Sequence, residues 1–270
     1  MAIKVSGSGG SVKFSGSGGG LKVQSSGGGG GGGFDPSSLG NLSSWFKADA
    51  LGLSNGATVT SWADSAGGNT LDGYGGTPIY NASDAEFGNM PSVSFNGSSF
   101  LYKNSPSGLP SGAAAFSIYA VAYPDNVHFD VMNIFGWGSN TSRGRIVVST
   151  LPSWAGGPAY WPNYNTGDVV VKKNATFGPP AVVISLSLPA DTGISSAELY
   201  VNDQAGVVLN SDSALSIGTA SLAIGSTPAN LGERNFYGKF AEGLIYSEKH
   251  DNTKRLQVTQ YLASKYGISI

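Results

Sequence analysis

The sequence of 270 residues contains no cysteine, only two histidines and only 12% charged residues. Without cysteine it has no disulfide bonds, no thiolate metal ligands and no cysteine nucleophile. The formal net charge of −2 argues against a nucleic-acid-binding protein with a strongly basic surface. No stretch reaches about 18 consecutive apolar residues, so we expect no membrane span. The opening of the chain lacks the apolar core of a signal peptide, from which we expect a soluble protein made in the cytoplasm.

The glycine-rich segment 1–33 differs in composition from the rest of the chain. Fourteen of its residues are glycine, and the segment carries a charge of +3, whereas residues 34–270 carry −5. Three apolar-Lys-apolar triplets recur at a spacing of nine, and each predicts a very short strand. Their residues are Ile3, Lys4, Val5, Val12, Lys13, Phe14, Leu21, Lys22 and Val23.

Three triplets bury too few apolar side chains to form a core alone. The regular spacing predicts that the segment becomes ordered against a partner protein or against copies of itself, as an anchoring or oligomerisation device. The alternative is a flexible tail, which the glycine content also favours. The sequence argues against a phosphate-binding loop, because no Lys-Ser/Thr pair and no helix follow the glycines.

From Phe34 onward, short β-rich runs recur about every 8–15 residues with turn residues between them. This pattern predicts an all-β antiparallel sandwich that occupies residues 34–270. The clearest runs are Val93–Phe95, Phe116–Tyr123, Ile134–Phe135, Arg145–Val148, Val169–Val171, Ala181–Leu188, Glu198–Val201, Ser221–Ile224 and Phe236–Tyr246.

One helix is predicted near the carboxyl end of the sequence. Lys254 to Tyr266 contains neither glycine nor proline, Asp251 precedes it as a candidate N-cap and Gly267 follows as a candidate C-cap. We expect Leu256, Tyr261, Leu262 and Tyr266 to form its buried side.

Several segments of residues 41–270 resemble the concanavalin A-like lectin/glucanase superfamily, in its laminin-G/pentraxin-like branch. This resemblance implies a jelly-roll sandwich, a fold that hosts lectins, hydrolases and inert spacers. The segments are LSSWFKADA from Leu42, VTSWADSAGGN from Val59, MPSVSFNG from Met90, YVN from Tyr200, KFAEGLIY from Lys239 and YLASKYG from Tyr261.

The opening Met1–Val5 resembles the start of structural proteins of tailed bacteriophages. Together with the glycine content, the resemblance implies a virion protein in which segment 1–33 attaches to other virion proteins or to copies of itself. A homo-oligomer on the virion surface is the corresponding expectation.

Glycosidases of the resembled superfamily place two acids on one strand, usually as Glu-x-Asp-x-x-Glu. None of the five glutamates has an acid two residues further on. His128 and His250 lie far apart in sequence, without paired acids nearby. We therefore assign no catalytic residue and predict that the chain is not an enzyme, with a glycanase as the least favoured alternative.

One loop contains oxygen ligands of the type that calcium binds. Asp64, Asn69 and Asp72 provide them close together in sequence. The competing interpretation is that these side chains satisfy neighbouring backbone groups in turns, and it is the favoured one. We predict no metal and no cofactor.

An aromatic loop is the candidate sugar-binding surface. Trp154, Tyr160, Trp161 and Tyr164 lie in a stretch rich in proline, glycine and asparagine. Sugar C–H faces stack on aromatic rings, so these four side chains are the predicted glycan contacts. The alternative is that the tryptophans cover a sheet end or a neighbouring subunit.

These observations lead to one predicted function and one alternative. The prediction is a bacteriophage virion structural protein (a capsid decoration, head fibre or tail appendage subunit) that displays a lectin-like sandwich to host surface glycans. The alternative is a carbohydrate-binding module or adhesin.

Overall fold

The computed structural model describes residues 33–125, 131–141, 144–151, 159–162, 171–174, 180–208 and 215–270. The chain divides into two units, residues 1–35 and 36–270. The strands are β1 Leu42–Lys47, β2 Gly73–Gly75, β3 Ile79–Asp84, β4 Met90–Asn96, β5 Phe100–Asn104, β6 Phe116–Pro124, β7 Met132–Gly138, β8 Arg145–Leu151, β9 Ala159–Pro162, β10 Val171–Asn174, β11 Val182–Leu188, β12 Glu198–Val201, β13 Gln204–Ala205, β14 Val207–Val208, β15 Ser221–Ile224 and β16 Tyr237–Tyr246. The helix α1 spans Asn252–Tyr266, and short 3₁₀ turns occupy Pro36–Leu39, Ala48–Ala50, Ala85–Phe87 and Ile194–Ser196.

The strands form two antiparallel sheets. The first has the order β13-β12-β11-β6-β16-β4-β3, with β1 also paired to β16. The second has the order β14-β10-β9-β8-β7-β15-β5-β2. Strand β16 is long enough to pair with β4 through its first half and with β1 through its second half. A register shift between Phe240 and Glu242 separates the two halves.

One apolar core lies between the two sheets. Aromatic rings from opposite sheets meet edge-on, with 6.2 Å between the ring centroids of Phe46 and Phe135 and 5.4 Å between those of Phe116 and Trp137. Phe135 also lies 5.6 Å from Phe240. All five side chains are buried, and rings of this size supply much of the hydrophobic stabilisation of a small core.

The structure confirms a mostly β chain with two antiparallel sheets and one carboxyl-terminal helix. The runs predicted at Ser221–Ile224 and Glu198–Val201 are strands with those bounds, and the alternating run at Phe116–Tyr123 lies within β6. The jelly-roll connection order stays a prediction.

The caps of α1 are as predicted, whereas its buried side is partly different. Asp251 accepts a hydrogen bond from the backbone N–H of Lys254, and Gly267 adopts φ of 65° at the C-cap. Leu256 and Tyr261 are only partly buried. The side that faces the first sheet is formed instead by Arg255, Val258, Thr259, Leu262, Ala263 and Tyr266. The amphipathic pattern of this helix is too weak for periodicity to fix its rotation.

The predicted anchoring segment 1–33 lies outside the described residues, except for Gly33. This applies to all nine residues of its triplets, namely Ile3, Lys4, Val5, Val12, Lys13, Phe14, Leu21, Lys22 and Val23. Their role in assembly stays a prediction. In the part of the chain that the structure describes, no helix is long and apolar enough to cross a membrane.

Candidate functional site

A row of side chains crosses four neighbouring strands on the outer face of the first sheet. Ile79 of β3 pairs with Ser94 of β4, which pairs with Lys239 of β16, which in turn pairs with Tyr123 of β6. Directly paired residues of antiparallel strands point to the same face. Their sequence neighbours, such as Val93 and Phe240, belong to the core between the sheets, so this row points outward.

A second row lies two residues further along, where the same four strands end. Tyr237 pairs with Asn96, and the backbone N–H of Asp125 donates to the carbonyl of Tyr237 over 3.0 Å. Each residue is two positions from a member of the first row, so period-two alternation brings them to the same face. Tyr237 is half-buried there and also packs against the apolar core. Thr77 completes this row next to β3.

The two rows enclose a cleft of about 270 Å³ that is open to solvent. We call it the tyrosine cleft. Its walls are Thr77, Ile79, Ser94, Phe95, Asn96, Tyr123, Asp125, Tyr237, Gly238 and Lys239.

The floor of the tyrosine cleft requires a glycine. Gly238 has φ of 153°, and a Cβ at this position would overlap the carbonyl oxygen of Tyr123 and lie 2.7 Å from the ring of Phe236. The missing side chain lets β16 approach the backbone of β6 closely at this position.

Some charged side chains around the tyrosine cleft form ion pairs in the described residues, and others do not. Nζ of Lys239 lies 2.9 Å from Oδ1 of Asp84, whose carboxylate also accepts from the hydroxyl of Ser92 over 2.6 Å. The pKa of Tyr123 is raised, first by burial and then by the carboxylates of Glu86, Asp125 and Asp84. Tyr123 therefore stays a neutral phenol at physiological pH and can both donate and accept hydrogen bonds.

Three polar groups of the cleft have no hydrogen-bond partner among the described residues: the Tyr123 hydroxyl, the Asp125 carboxylate and Nδ2 of Asn96. Oδ1 of Asn96 is already occupied, since it accepts from the backbone and side chain of Ser98. The hydroxyl of Ser94 accepts from Asn81 over 2.8 Å and keeps its own proton for a further bond.

Together these groups provide the chemistry that a sugar requires. Tyrosine rings offer flat apolar faces for sugar C–H groups. A carboxylate accepts hydrogen bonds from hydroxyls, an amide N–H donates to them, and a phenol does both. A small number of convergent polar groups among aromatic walls is typical of ligand clefts.

The predicted aromatic loop lies largely outside the described residues. Trp154 and Tyr164 fall on undescribed positions. Tyr160 and Trp161 belong to β9, where they pair with Thr150 and Ser149 of β8. The two residues are thus in the second sheet, and their role in glycan binding stays a prediction.

The proposed calcium ligands are instead bound by hydrogen-bond donors. Oδ1 of Asp64 accepts from the backbone N–H groups of Trp45 and Ala66, over 2.8 Å and 3.0 Å. Oδ1 of Asn69 accepts from Ser107, and Asp72 forms an ion pair with Lys103. The three side chains hold turns and neighbouring segments, in agreement with the favoured interpretation. Within the described residues, no group of three acidic or histidine side chains forms a metal site.

Sequence reasoning missed the tyrosine cleft, although its strands were predicted. The signal was present as polar and aromatic pairs two residues apart at strand ends, such as Tyr123 with Asp125 and Tyr237 with Lys239. Each pair alone is typical of any half-exposed strand. Only the strand order brings the pairs together.

Another polar cluster lies under α1. Glu242 is fully buried and accepts hydrogen bonds from Nε1 of Trp45 over 2.6 Å and from the Tyr266 hydroxyl over 2.7 Å. Nζ of Lys265 lies 2.7 Å from Glu242 and 2.9 Å from Asp49. Both oxygens of Glu242 are thereby satisfied, so the cluster fastens the helix to the sheet and is closed to a ligand.

Comparisons with known proteins identify the fold and no family. No known protein family and no curated protein sequence matches the chain. Domain 4 of an extracellular GH43 arabinanase from Geobacillus stearothermophilus, solved in complex with arabinotriose, is similar with a TM-score of 0.59 and 18% identity, over 82% of this chain and 98% of that domain.

Two further similar structures are glycosidases that are longer than this chain. A GH54 α-L-arabinofuranosidase has a TM-score of 0.56 and 15% identity over 77% of this chain. A sialidase from Trypanosoma rangeli has a TM-score of 0.54 and 12% identity over 83% of this chain. The chain spans 51% of the arabinofuranosidase and 33% of the sialidase. The protein therefore has a β-sheet fold that occurs within carbohydrate-active proteins.

The comparisons correct one prediction. We predicted that the chain is not an enzyme, and this is wrong because the similar structures are glycoside hydrolases or parts of them. The sequence lacks only a pair of acids at the expected close spacing. Strand pairing brings distant residues together, as Asp125 and Asn96 in the tyrosine cleft demonstrate.

Proposed function

We propose that the protein binds carbohydrate, and that the tyrosine cleft on the first sheet is its sugar-binding site. The observation that carries this proposal is the convergence of two tyrosine rings with a carboxylate, an amide and a hydroxyl in one solvent-open cleft. These groups match the alternating C–H faces and hydroxyls of a sugar ring.

The similar arabinanase domain supports the proposal. Nearly its whole length aligns with this chain, and it was solved with arabinotriose bound. A short neutral oligosaccharide of this kind is therefore the first ligand to test. At 18% identity, the likeness concerns the fold, and the proposed site rests on the residues of this chain.

The finer predictions extend this proposal. We propose that the two sheets form a jelly-roll sandwich of the concanavalin A-like type, as the sequence resemblance implies. Attachment of segment 1–33 to a virion is compatible with sugar binding, because a displayed sandwich can contact host glycans. The proposed attachment to a virion is supported by the sequence pattern alone.

Calorimetric titration with arabinotriose tests the proposed site. We expect saturable binding that Tyr123→Ala and Tyr237→Ala each weaken about tenfold, since each removes one stacking surface. Tyr74→Ala is the matched control, because Tyr74 lies in β2 of the second sheet and is 48% exposed. Product release is measured in the same samples, since the fold occurs in glycoside hydrolases.

Two results would overturn the proposal. One is the absence of arabinotriose binding by the wild-type protein. The other is binding that survives both tyrosine substitutions but is lost in Trp154→Ala or Trp161→Ala, which would move the site to the predicted aromatic loop. Circular dichroism of each variant establishes that the fold is retained.

A further inference from the structure

The tyrosine cleft has one lysine, and that lysine is already neutralised. Lys239 is the cationic side chain among the described wall residues. Its Nζ lies 2.9 Å from Asp84, and the side chain of Asp84 is only 4% exposed. A ligand that drew Lys239 away would leave a buried carboxylate without its ion-pair partner, at a high free-energy cost.

The other charged side chain of the described cleft walls is negative. Asp125 lines the cleft and has no ion-pair partner among the described residues. Protein sites for carboxylates and phosphates usually provide arginine, whose planar group binds both oxygens. The described walls contain none.

We propose that the cleft selects neutral sugars and rejects acidic ones, with Asp125 as the residue that determines this selectivity. The inference rests on the proposed function of the same cleft. A ligand carboxylate would lie beside Asp125 in a partly desolvated space, where like charges repel. Neutral hydroxyls, in contrast, donate hydrogen bonds to Asp125 and gain from its charge.

This selectivity separates the chain from one of its structural relatives. The Trypanosoma rangeli sialidase was solved with sialic acid, a sugar that carries a carboxylate. The arabinanase domain was solved with arabinotriose, which is neutral. From the charge of the cleft, we expect this chain to bind a neutral sugar such as arabinotriose and not an acidic sugar such as sialic acid.

A matched set of three ligands isolates the effect of charge. The set consists of arabinotriose, the same trisaccharide with its free primary hydroxyl oxidised to a carboxylate, and the methyl ester of that acid. We expect the ester to bind about as well as arabinotriose and the acid to bind roughly 5- to 10-fold more weakly at low salt. The difference shrinks as salt is raised, because screening weakens the repulsion.

A charge-neutralising variant identifies the residue. Asp125→Asn keeps the side-chain shape, and we expect it to bring the affinity for the acid closer to that for the ester. Asp191→Asn removes one negative charge from an exposed position outside the cleft and controls for net charge.

The possible results distinguish failure of the inference from failure of the proposed function. Equal affinity for acid and ester, or no response to Asp125→Asn, overturns the inference and leaves the sugar site standing. Tighter binding of the acid has the same consequence. If arabinotriose itself does not bind, the proposed function fails and the inference fails with it.

Discussion

His250 is a titratable side chain enclosed by aromatic rings. Its Nδ1 shares a hydrogen bond of 2.8 Å with the Tyr119 hydroxyl, and its ring centroid lies 4.2 Å from that of Tyr246. Burial lowers the pKa of His250 from 6.5 to about 4, although Glu248, with an oxygen 3.4 Å from Nε2, favours the charged form. The folded protein therefore holds this histidine neutral.

Acid should destabilise the protein through His250. The unfolded chain takes up the proton near pH 6.5, whereas the folded chain takes it up only near pH 4. Stability from the neutral ring is thus complete above pH 6.5 and is lost as the pH falls to 4, at a cost of about 3 kcal/mol. Urea unfolding at pH 7 and pH 4 measures this loss.

His250→Asn separates this effect from the titration of carboxylates. Asparagine places an amide near the position of Nδ1 and cannot take up the proton. The variant is less stable at pH 7 because it loses the ring contact with Tyr246. Its stability deficit relative to wild type should shrink by about 3 kcal/mol between pH 7 and pH 4. A constant deficit contradicts the assignment.

Single residues in turns were predictable where the chemistry is local. Asp64, Asp251 and Gly267 act where their residue types are expected, since a carboxylate binds nearby backbone N–H groups and glycine adopts positive φ. The proposed roles of Tyr123 and Asp125 depend instead on β16, which lies far along the chain, and no local pattern contains that information.

At the level of elements, α1 is attached to the first sheet by both apolar and ionic contacts. The rings of Phe87 and Tyr266 meet at 6.0 Å, and those of Trp45 and Tyr261 at 6.5 Å. Glu242 joins the two layers through Tyr266 and Lys265. The helix could be predicted from its caps and its lack of glycine. Its buried partner in the first sheet, Glu242, could not.

Replacing Glu242 should loosen α1. In Glu242→Ala, Lys265 keeps only Asp49, and Nε1 of Trp45 loses its acceptor inside the protein. Removing one partner of a buried ionic cluster costs about 3–5 kcal/mol. Guanidinium unfolding measures the loss, and Glu233→Ala at an exposed position should change stability by less than about 0.5 kcal/mol. An equal effect of both substitutions would exclude this role for Glu242.

For the molecule as a whole, alternation and turn residues were sufficient to predict two antiparallel sheets and one helix. The strand order was not predictable, because β16 near the end of the chain pairs with β1, the first strand in the described residues. Long-range pairing leaves no trace in a single sequence beyond the two-residue period. The cleft depends on that order and was therefore missed, while the aromatic loop was conspicuous because its residues are contiguous.

The predicted role of segment 1–33 can be tested on the whole molecule. We expect the full chain to form an oligomer and a chain that begins at Phe34 to be monomeric. Light scattering after size-exclusion chromatography measures both masses, and arabinotriose titration of the shorter chain establishes that the sandwich remains competent. Monomers in both cases would contradict assembly of the segment with copies of itself.

The register shift in β16 also restricts how this gene can tolerate insertions and deletions. Lys239 and Glu242 both point away from the core although they are an odd number of positions apart, and Phe240 and Ile245 both face the core. The extra residue at Ala241 keeps the two halves in phase. Deletion of one residue there would point either the cleft side chains or the carboxylate under α1 toward the apolar interior. We therefore expect insertions and deletions in this strand to be tolerated only when they change its length by an even number of residues. Such a change preserves the face to which each side chain points.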